Sequence, residues 1–159
     1  MNFRSAKPED LSVIISWIPD AAACQRWAGP AVSFPPTPAS LTLEIDFSPH
    51  NSYSLEEFEA IVGFGQMIRK SKHRVHLARI IVAPYRRGRG YGRHLCRSLM
   101  DHAAGLDYPR ISLNVYRDNS AAIKLYHSLG FRVMDKSQAD GLSEDICYME
   151  AGPYRQHNY

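Results

Sequence analysis

The sequence predicts an α/β (α+β) fold built on a mixed, mostly antiparallel central sheet of about six to seven strands, with helices on both faces. Three observations carry this. β-favouring segments and segments of helical spacing run in the order strands, strand-helix-strand-helix, strands, which fits a mixed sheet with helices on both faces. The connections among strands 52–56, 60–70 and 74–83 are short enough only for an antiparallel meander. A long helix then separates strand 74–83 from strand 110–116. A right-handed crossover through it sets those two strands parallel.

Phe3 to Lys7 reads as a first strand. Pro8-Glu9-Asp10 opens a helix through Trp17 or Ile18, because proline and acids suit a first turn, and Leu11, Ile14, Ile15 and Ile18 fall on one face. Residues 20–27 read as a second short helix. Gly29-Pro30 and Ser33-Phe34-Pro35-Pro36-Thr37-Pro38 break regular structure, and Leu41 to Phe47 reads as a third. The meander follows, with Gly63 and Gly65 allowing close backbone contact and Pro84 stopping its last strand. The helix from Tyr91 to Ala104 buries Leu95, Leu99 and Ala103, and Gly105 ends it. Strand 110–116 presents Ile111, Leu113 and Val115. Asp118-Asn119-Ser120 caps a helix that Gly130 stops. Strands near Phe131–Asp135 and Asp145–Glu150 complete the order.

At 159 residues and 18.0 kDa the chain suits one domain, expected over 1–152, with 153–159 a loose terminal tail. No apolar run approaches the ~20 residues of a membrane helix, and the first residues lack the apolar core of a secretory signal. Cys24, Cys96 and Cys147 are too few and too scattered for a disulfide framework or a Cys-x-x-Cys site. A reduced, cytoplasmic setting and no metal are expected. The net charge of +3 hides an asymmetry: Ala60 to Met100 holds no Asp or Glu but carries Arg69, Lys70, Lys72, Arg74, Arg79, Arg86, Arg87, Arg89, Arg93 and Arg97. Such a stretch attracts an anion, or simply forms a solvated basic face.

The informative segment is Ile80-Ile81-Val82-Ala83-Pro84-Tyr85-Arg86-Arg87-Gly88-Arg89-Gly90-Tyr91-Gly92-Arg93. A strand ends, three glycines alternate with larger residues, and a helix begins. Glycines admit positive φ and close ligand approach, and helix-start N–H groups have no acceptor within the helix, so the segment suits a phosphate or diphosphate. A dinucleotide fingerprint fails, because Arg93 stands where its third glycine belongs, and a Walker-type loop lacks its Gly-Lys-Ser/Thr. An Arg/Gly nucleic-acid segment is usually a disordered repeat, unlike this short loop between strand and helix.

These residues resemble the Gcn5-related N-acetyltransferase (GNAT) superfamily. Its loop, Arg/Gln-x-x-Gly-x-Gly/Ala, is matched by Arg87-Gly88-Arg89-Gly90-Tyr91-Gly92, and its preceding Val-x-Pro by Val82-Ala83-Pro84. Downstream, Asn119-Ser120-Ala121-Ala122-Ile123-Lys124-Leu125-Tyr126-His127-Ser128-Leu129-Gly130-Phe131 is similar to the family's Asn-x-x-Ala-x-x-x-Tyr-x-x-x-Gly-Phe helix at every named position. The resemblance runs through nearly the whole chain and is weakest from Pro19 to His50, where the family varies its acceptor site.

The resemblance implies the acyl-CoA N-acyltransferase fold and transfer of acetyl from acetyl-coenzyme A, a co-substrate, to a primary amine by direct attack through a tetrahedral intermediate. It implies that the backbone of Ile80, Ile81 and Val82 pairs with the pantetheine arm, and that Arg87, Gly88, Arg89, Gly90, Tyr91, Gly92 and Arg93 hold the diphosphate. An N–H near Val82 would face the oxyanion. Tyr126 matches the tyrosine beside the leaving sulfur, a general-acid candidate that also suits core packing. Asn119 matches a cofactor-contacting asparagine that also suits a helix cap. Many relatives carry a glutamate on the strand equivalent to 74–83, but this chain has none. His76 is the candidate base there, its ordinary pKa being near ~6.5, and Glu44, Asp46, Glu56 and Glu57 are alternatives from the acceptor side. Trp27, Phe34 and Phe47 wall an acceptor pocket or pack a core.

The acceptor is an amine, as a small molecule or on a protein. Neither nucleic acid nor a membrane is expected as partner, and the final strands offer an edge for a homodimer. Two other classes stay open: a silent acyl-coenzyme-A sensor, suggested by the absent strand glutamate, and a nucleic-acid-binding domain, suggested by the basic stretch alone.

Overall fold

The computed structural model describes residues 1–135 and 141–153. The elements run β1 (Asn2–Ser5), α1 (Asp10–Ser16), α2 (Ala21–Ala28), α3 (Pro38–Glu44), β2 (Ser52–Glu57), β3 (Ala60–Arg69), β4 (Arg74–Val82), a 3-10 turn (Pro84–Arg86), α4 (Tyr91–Gly105), β5 (Arg110–Tyr116), α5 (Ser120–Ser128), β6 (Arg132–Val133) and β7 (Ile146–Ala151). The strands form a seven-stranded sheet in the order β1-β2-β3-β4-β5-β7-β6. β4 and β5 are parallel, as the crossover predicts, and the pairs β1-β2, β2-β3, β5-β7 and β6-β7 are antiparallel. Of the expected tail, residues 154–159 lie outside the described residues.

The chain packs as two compact units. One comprises Met1–Gln66 with Arg79–Ser98; the other comprises Met67–Ala78 with the chain from Leu99 onward. In the first, Leu11 and Ile14 of α1, Cys24 and Ala28 of α2 and Leu41 of α3 share a core with Ile61 and Phe64 of β3 and Ile81 of β4. The other face of β3 meets α4: a Cβ added at Gly63 would lie 3.1 Å from Leu95 Cδ2, so a side chain there would make Leu95 give way by a few tenths of an ångström. Helices thus cover both faces of β3.

A buried carboxylate ties the first elements together. Asp10, 7% exposed, accepts from both terminal nitrogens of Arg4 (2.8 and 3.1 Å), from the Lys7 N–H (2.9 Å) and from the Ser54 hydroxyl (2.9 Å). Arg4 also pairs with Glu56 at 2.9 Å.

Helix α3 starts earlier than expected. Thr37 Oγ1 accepts from the Ser40 N–H (3.0 Å), Ser40 Oγ accepts from the Thr37 N–H (2.9 Å), and Pro38 occupies the first helical position. The Thr-Pro pair that reads as a breaker is the helix's cap and first residue.

In the second unit, Leu77, Leu99, Ala103, Ile111, Leu113, Phe131 and Met149 are buried. The strand expected at 131–135 shrinks to Arg132–Val133. Phe131 is turned inward, and its N–H donates to the Tyr126 carbonyl as part of the ending of α5.

Candidate active site

The parallel ladder pairs Arg74–Leu77 with Arg110–Leu113. Two residues further along β4, Arg79 has φ 52°, a left-handed backbone inside a strand. Such a residue bulges the strand and persists only where neighbours hold it. Trp27 of α2 donates its indole N–H to the Arg79 carbonyl (2.9 Å), with its ring 6.4 Å from that of Phe64. The Arg79 guanidinium is half-buried and donates to Gln66 Oε1 at 2.8 Å. Gln66 is fully buried, and its Nε2 donates to the Ile45 carbonyl (3.1 Å) and Ser52 Oγ (2.9 Å). Those two acceptors fix the amide's orientation and aim its oxygen at Arg79.

Ile80, Ile81 and Val82 follow the bulge. The Ala83 N–H pairs with the Val62 carbonyl (2.8 Å), and the chain then makes its 3-10 turn. Within that turn the Arg86 N–H donates to Ala83 and the Arg87 N–H to Pro84. Arg87 Nε donates to the Val82 carbonyl (3.2 Å), so the Arg87 side chain and its amide both have protein acceptors in this turn. Gly88 and Gly90 have φ of 73° and 87°, and a Cβ built on either meets nothing within 4 Å. Open space lies over both residues. The His94 N–H donates to the Gly90 carbonyl (3.1 Å), so Tyr91 and Gly92 lie in the first turn of α4, where the helix itself supplies no acceptor for their N–H groups. Arg87, Arg89 and Arg93 are exposed around this loop. Positive φ, open space and leading amides fit a diphosphate.

The Tyr91 side chain serves the protein. Its hydroxyl donates to Glu57 (2.6 Å) and accepts from Arg86 (2.9 Å), while Arg86 pairs with Glu57 at 3.1 Å. The hydrogen bond to Glu57 pushes the Tyr91 phenol above its ordinary range. The cluster ties the β2–β3 hairpin to the start of α4.

In the second unit, Arg74, His76, Ser112, Tyr148 and Glu150 form a polar cluster across β4, β5 and β7. His76 Nδ1 lies 2.8 Å from Ser112 Oγ, and its ring stacks parallel to that of Tyr148, with centroids 6.5 Å apart. The Tyr148 hydroxyl donates to Glu150 (2.8 Å) and accepts from Arg74. Arg110 also pairs with Glu150. Burial, with the Glu150 carboxylate beside it, pushes the Tyr148 phenol up. His76 is therefore a half-buried, oriented imidazole and not a solvated strand residue.

Asn119 caps α5, its Oδ1 accepting from the Ala122 N–H at 3.2 Å. Tyr126 is 8% exposed and meets Phe131 edge to face, with centroids 5.8 Å apart.

The alternative carboxylates are mostly engaged. Glu56 pairs with Arg4, Glu57 with Arg86 and Tyr91, and Glu44 accepts from the Ser33 hydroxyl (2.6 Å) and N–H (3.2 Å). Trp27 and Phe47 pack against the first unit's core, whereas Phe34 is 43% exposed. Sequence reasoning missed Arg79, Gln66, Ser112 and Tyr148 as site residues. Nothing local marks them, because their roles come from pairing across strands. Among the described residues, no group of His, Cys, Asp and Glu is placed to hold a metal ion, and no helix is long and apolar enough to cross a membrane.

A family model of the acetyltransferase (GNAT) family matches residues 21–131. The chain is 38% identical over 101 residues to the N-alpha-acetyltransferase RimI of Mycobacterium tuberculosis, a match covering 60% of this chain and 60% of that protein. The spermidine N-acetyltransferase from Vibrio cholerae, solved with CoA and spermine, superposes with a TM-score of 0.77 at 20% identity, covering 96% of this chain and 95% of that one. The ribosomal-protein-S18-alanine N-acetyltransferase from Escherichia coli gives 0.72 at 22% identity, covering 98% and 96%. The shared fold, the glycine loop between β4 and α4 and the family match over more than half the sequence agree: the chain belongs to the acetyltransferase (GNAT) family.

Proposed function

We propose that this chain is an acetyl-coenzyme-A-dependent N-acetyltransferase acting on a primary amine. The observation that carries the reading is the Gly88–Gly92 loop, where two positive-φ glycines under open space lead from β4 into α4. Family membership and the name of the Mycobacterium tuberculosis relative support it.

In this reading the amides of Gly88 to Gly92, with the side chains of Arg87, Arg89 and Arg93, hold the diphosphate. The backbone of Ile80 to Val82 pairs with the pantetheine amides. Acetyl-coenzyme A supplies a thioester carbonyl. The Val82 N–H donates to its oxygen as negative charge builds there. His76, oriented by Ser112, takes the proton that the acceptor ammonium must lose. Tyr126 gives a proton to the departing sulfur; simple thiols have a pKa of about 8.5, so a weak acid suffices. Asn119, its Oδ1 engaged by the cap, offers its Nδ2 to the coenzyme.

The test is release of free coenzyme A across a broad panel of amines, with wild type, His76→Gln and Tyr126→Phe. Amine-dependent release that falls in both variants is expected. Coenzyme binding without release for any amine contradicts it and favours a sensor.

A further inference from the structure

We infer that Arg79 recognises the acceptor, and that the acceptor carries a carboxylate close to its amine. The inference rests on the acetyl-transfer reading and deepens it. The Arg79 guanidinium is half-buried, and its Nε is buried with no hydrogen-bond partner. Its hydrogen bond goes to Gln66, a neutral amide whose orientation is locked by Ile45 and Ser52. Among the described residues it has no carboxylate partner. Arg4, Arg86 and Arg110, by contrast, all have one. Burial lowers the Arg79 pKa with no acidic neighbour to offset it. A cation drawn partly out of water beside a neutral amide lacks its counter-ion, and a guanidinium fork takes a planar carboxylate as a bidentate partner.

Position identifies whose carboxylate it is. Three strand residues, about 10 Å of extended chain, separate Arg79 from the turn leading into the glycine loop. A diphosphate held by Gly88–Gly92 therefore does not neutralise it. The Arg79 carbonyl is held by Trp27 of α2, and its side chain points to Gln66, which bonds the residue following α3. These are elements of the 19–50 region, where the family resemblance implies the acceptor site. A polycationic amine meets repulsion there.

The carboxylate has two sources: the α-carboxylate of a free amino acid, or an acidic side chain following a peptide's N-terminal amine. The experiment compares coenzyme A release from matched amines in the full chain. Phenylalanine is set against phenethylamine and lysine against cadaverine. The peptide Ala-Glu-Gly is set against Ala-Gln-Gly. Wild type should prefer the carboxylate member of at least one kind of pair by roughly 10- to 100-fold in kcat/KM. Which kind responds identifies the source. The preference should collapse in Arg79→Gln and partly return in Arg79→Lys, with each variant's fold checked by its urea midpoint. Absence of any preference, or a loss in Arg79→Gln equal on both members, overturns the inference. Product binding reads the site without turnover. With coenzyme A present, N-acetylphenylalanine should shift the melting temperature more than N-acetylphenethylamine, or N-acetyl-Ala-Glu-Gly more than N-acetyl-Ala-Gln-Gly, according to the pair that responds in turnover, and Arg79→Gln should erase the difference. Equal or absent shifts overturn the inference. Failure of acetyl-coenzyme A itself to bind, measured separately, marks failure of the underlying reading.

Discussion

The indole N–H of Trp27 and the carbonyl of Arg79 lie 2.9 Å apart, joining α2 to a β4 residue whose backbone is left-handed. A non-glycine residue in that conformation costs about 1–3 kcal/mol and needs such anchors. Trp27→Phe keeps an aromatic ring against Phe64 but leaves the carbonyl without its donor. The variant should lose about 1–2 kcal/mol in urea unfolding. An unchanged midpoint would show that the bulge holds itself.

Tyr126→Phe separates catalysis from packing. The edge-to-face contact with Phe131 survives the loss of the hydroxyl. In the variant kcat for coenzyme A release should fall roughly 100-fold with little change in KM, and the urea midpoint reads any packing cost separately. An unaltered kcat would leave Tyr126 a core aromatic alone.

Acid stability should depend on Asp10. Burial opposes its charge, but Arg4, the Lys7 N–H and the Ser54 hydroxyl outweigh that and hold its carboxyl below the ordinary range. A depressed folded pKa contributes stability that is fully present above the unfolded value of about 3.9 and is lost as pH falls through the folded one. Asp10→Asn should therefore be clearly less stable than wild type near neutrality, with the gap closing below about pH 4. Urea midpoints across that range measure it, and a gap independent of pH would contradict the charge's role.

The three cysteines should be inert in the native protein. Cys24, Cys96 and Cys147 are all buried, and burial pushes the Cys96 thiol up to about 12 and raises that of Cys24. A chromogenic disulfide reagent should label all three in denaturant and label the native chain only slowly. Rapid native labelling would contradict the packing around them.

Much of this was legible in advance. Period-two runs and short connections predict the meander, and Asn119 with Gly130 brackets α5 within a residue or two. The glycine loop stands out because glycine at fixed spacing has few other uses. What escaped depends on partners distant in sequence. Thr37 and Pro38 read as breakers until Ser40 completes the cap. Arg79 reads as one more basic residue until the fold brings Gln66 to its guanidinium and Trp27 to its carbonyl. His76 gains its orientation only once β5 supplies Ser112.

Calorimetric titration of acetyl-coenzyme A into the full chain and into Gly90→Ala tests the central claim most directly. A side chain at Gly90 meets no protein atom, so its effect comes through the positive φ and the ligand's space. Saturable one-site binding to wild type, weakened at least about tenfold in a folded Gly90→Ala variant, is the predicted result; a tenfold loss corresponds to about 1.4 kcal/mol. No heat at millimolar ligand, or equal binding by both proteins, would contradict the claim that this loop holds the coenzyme.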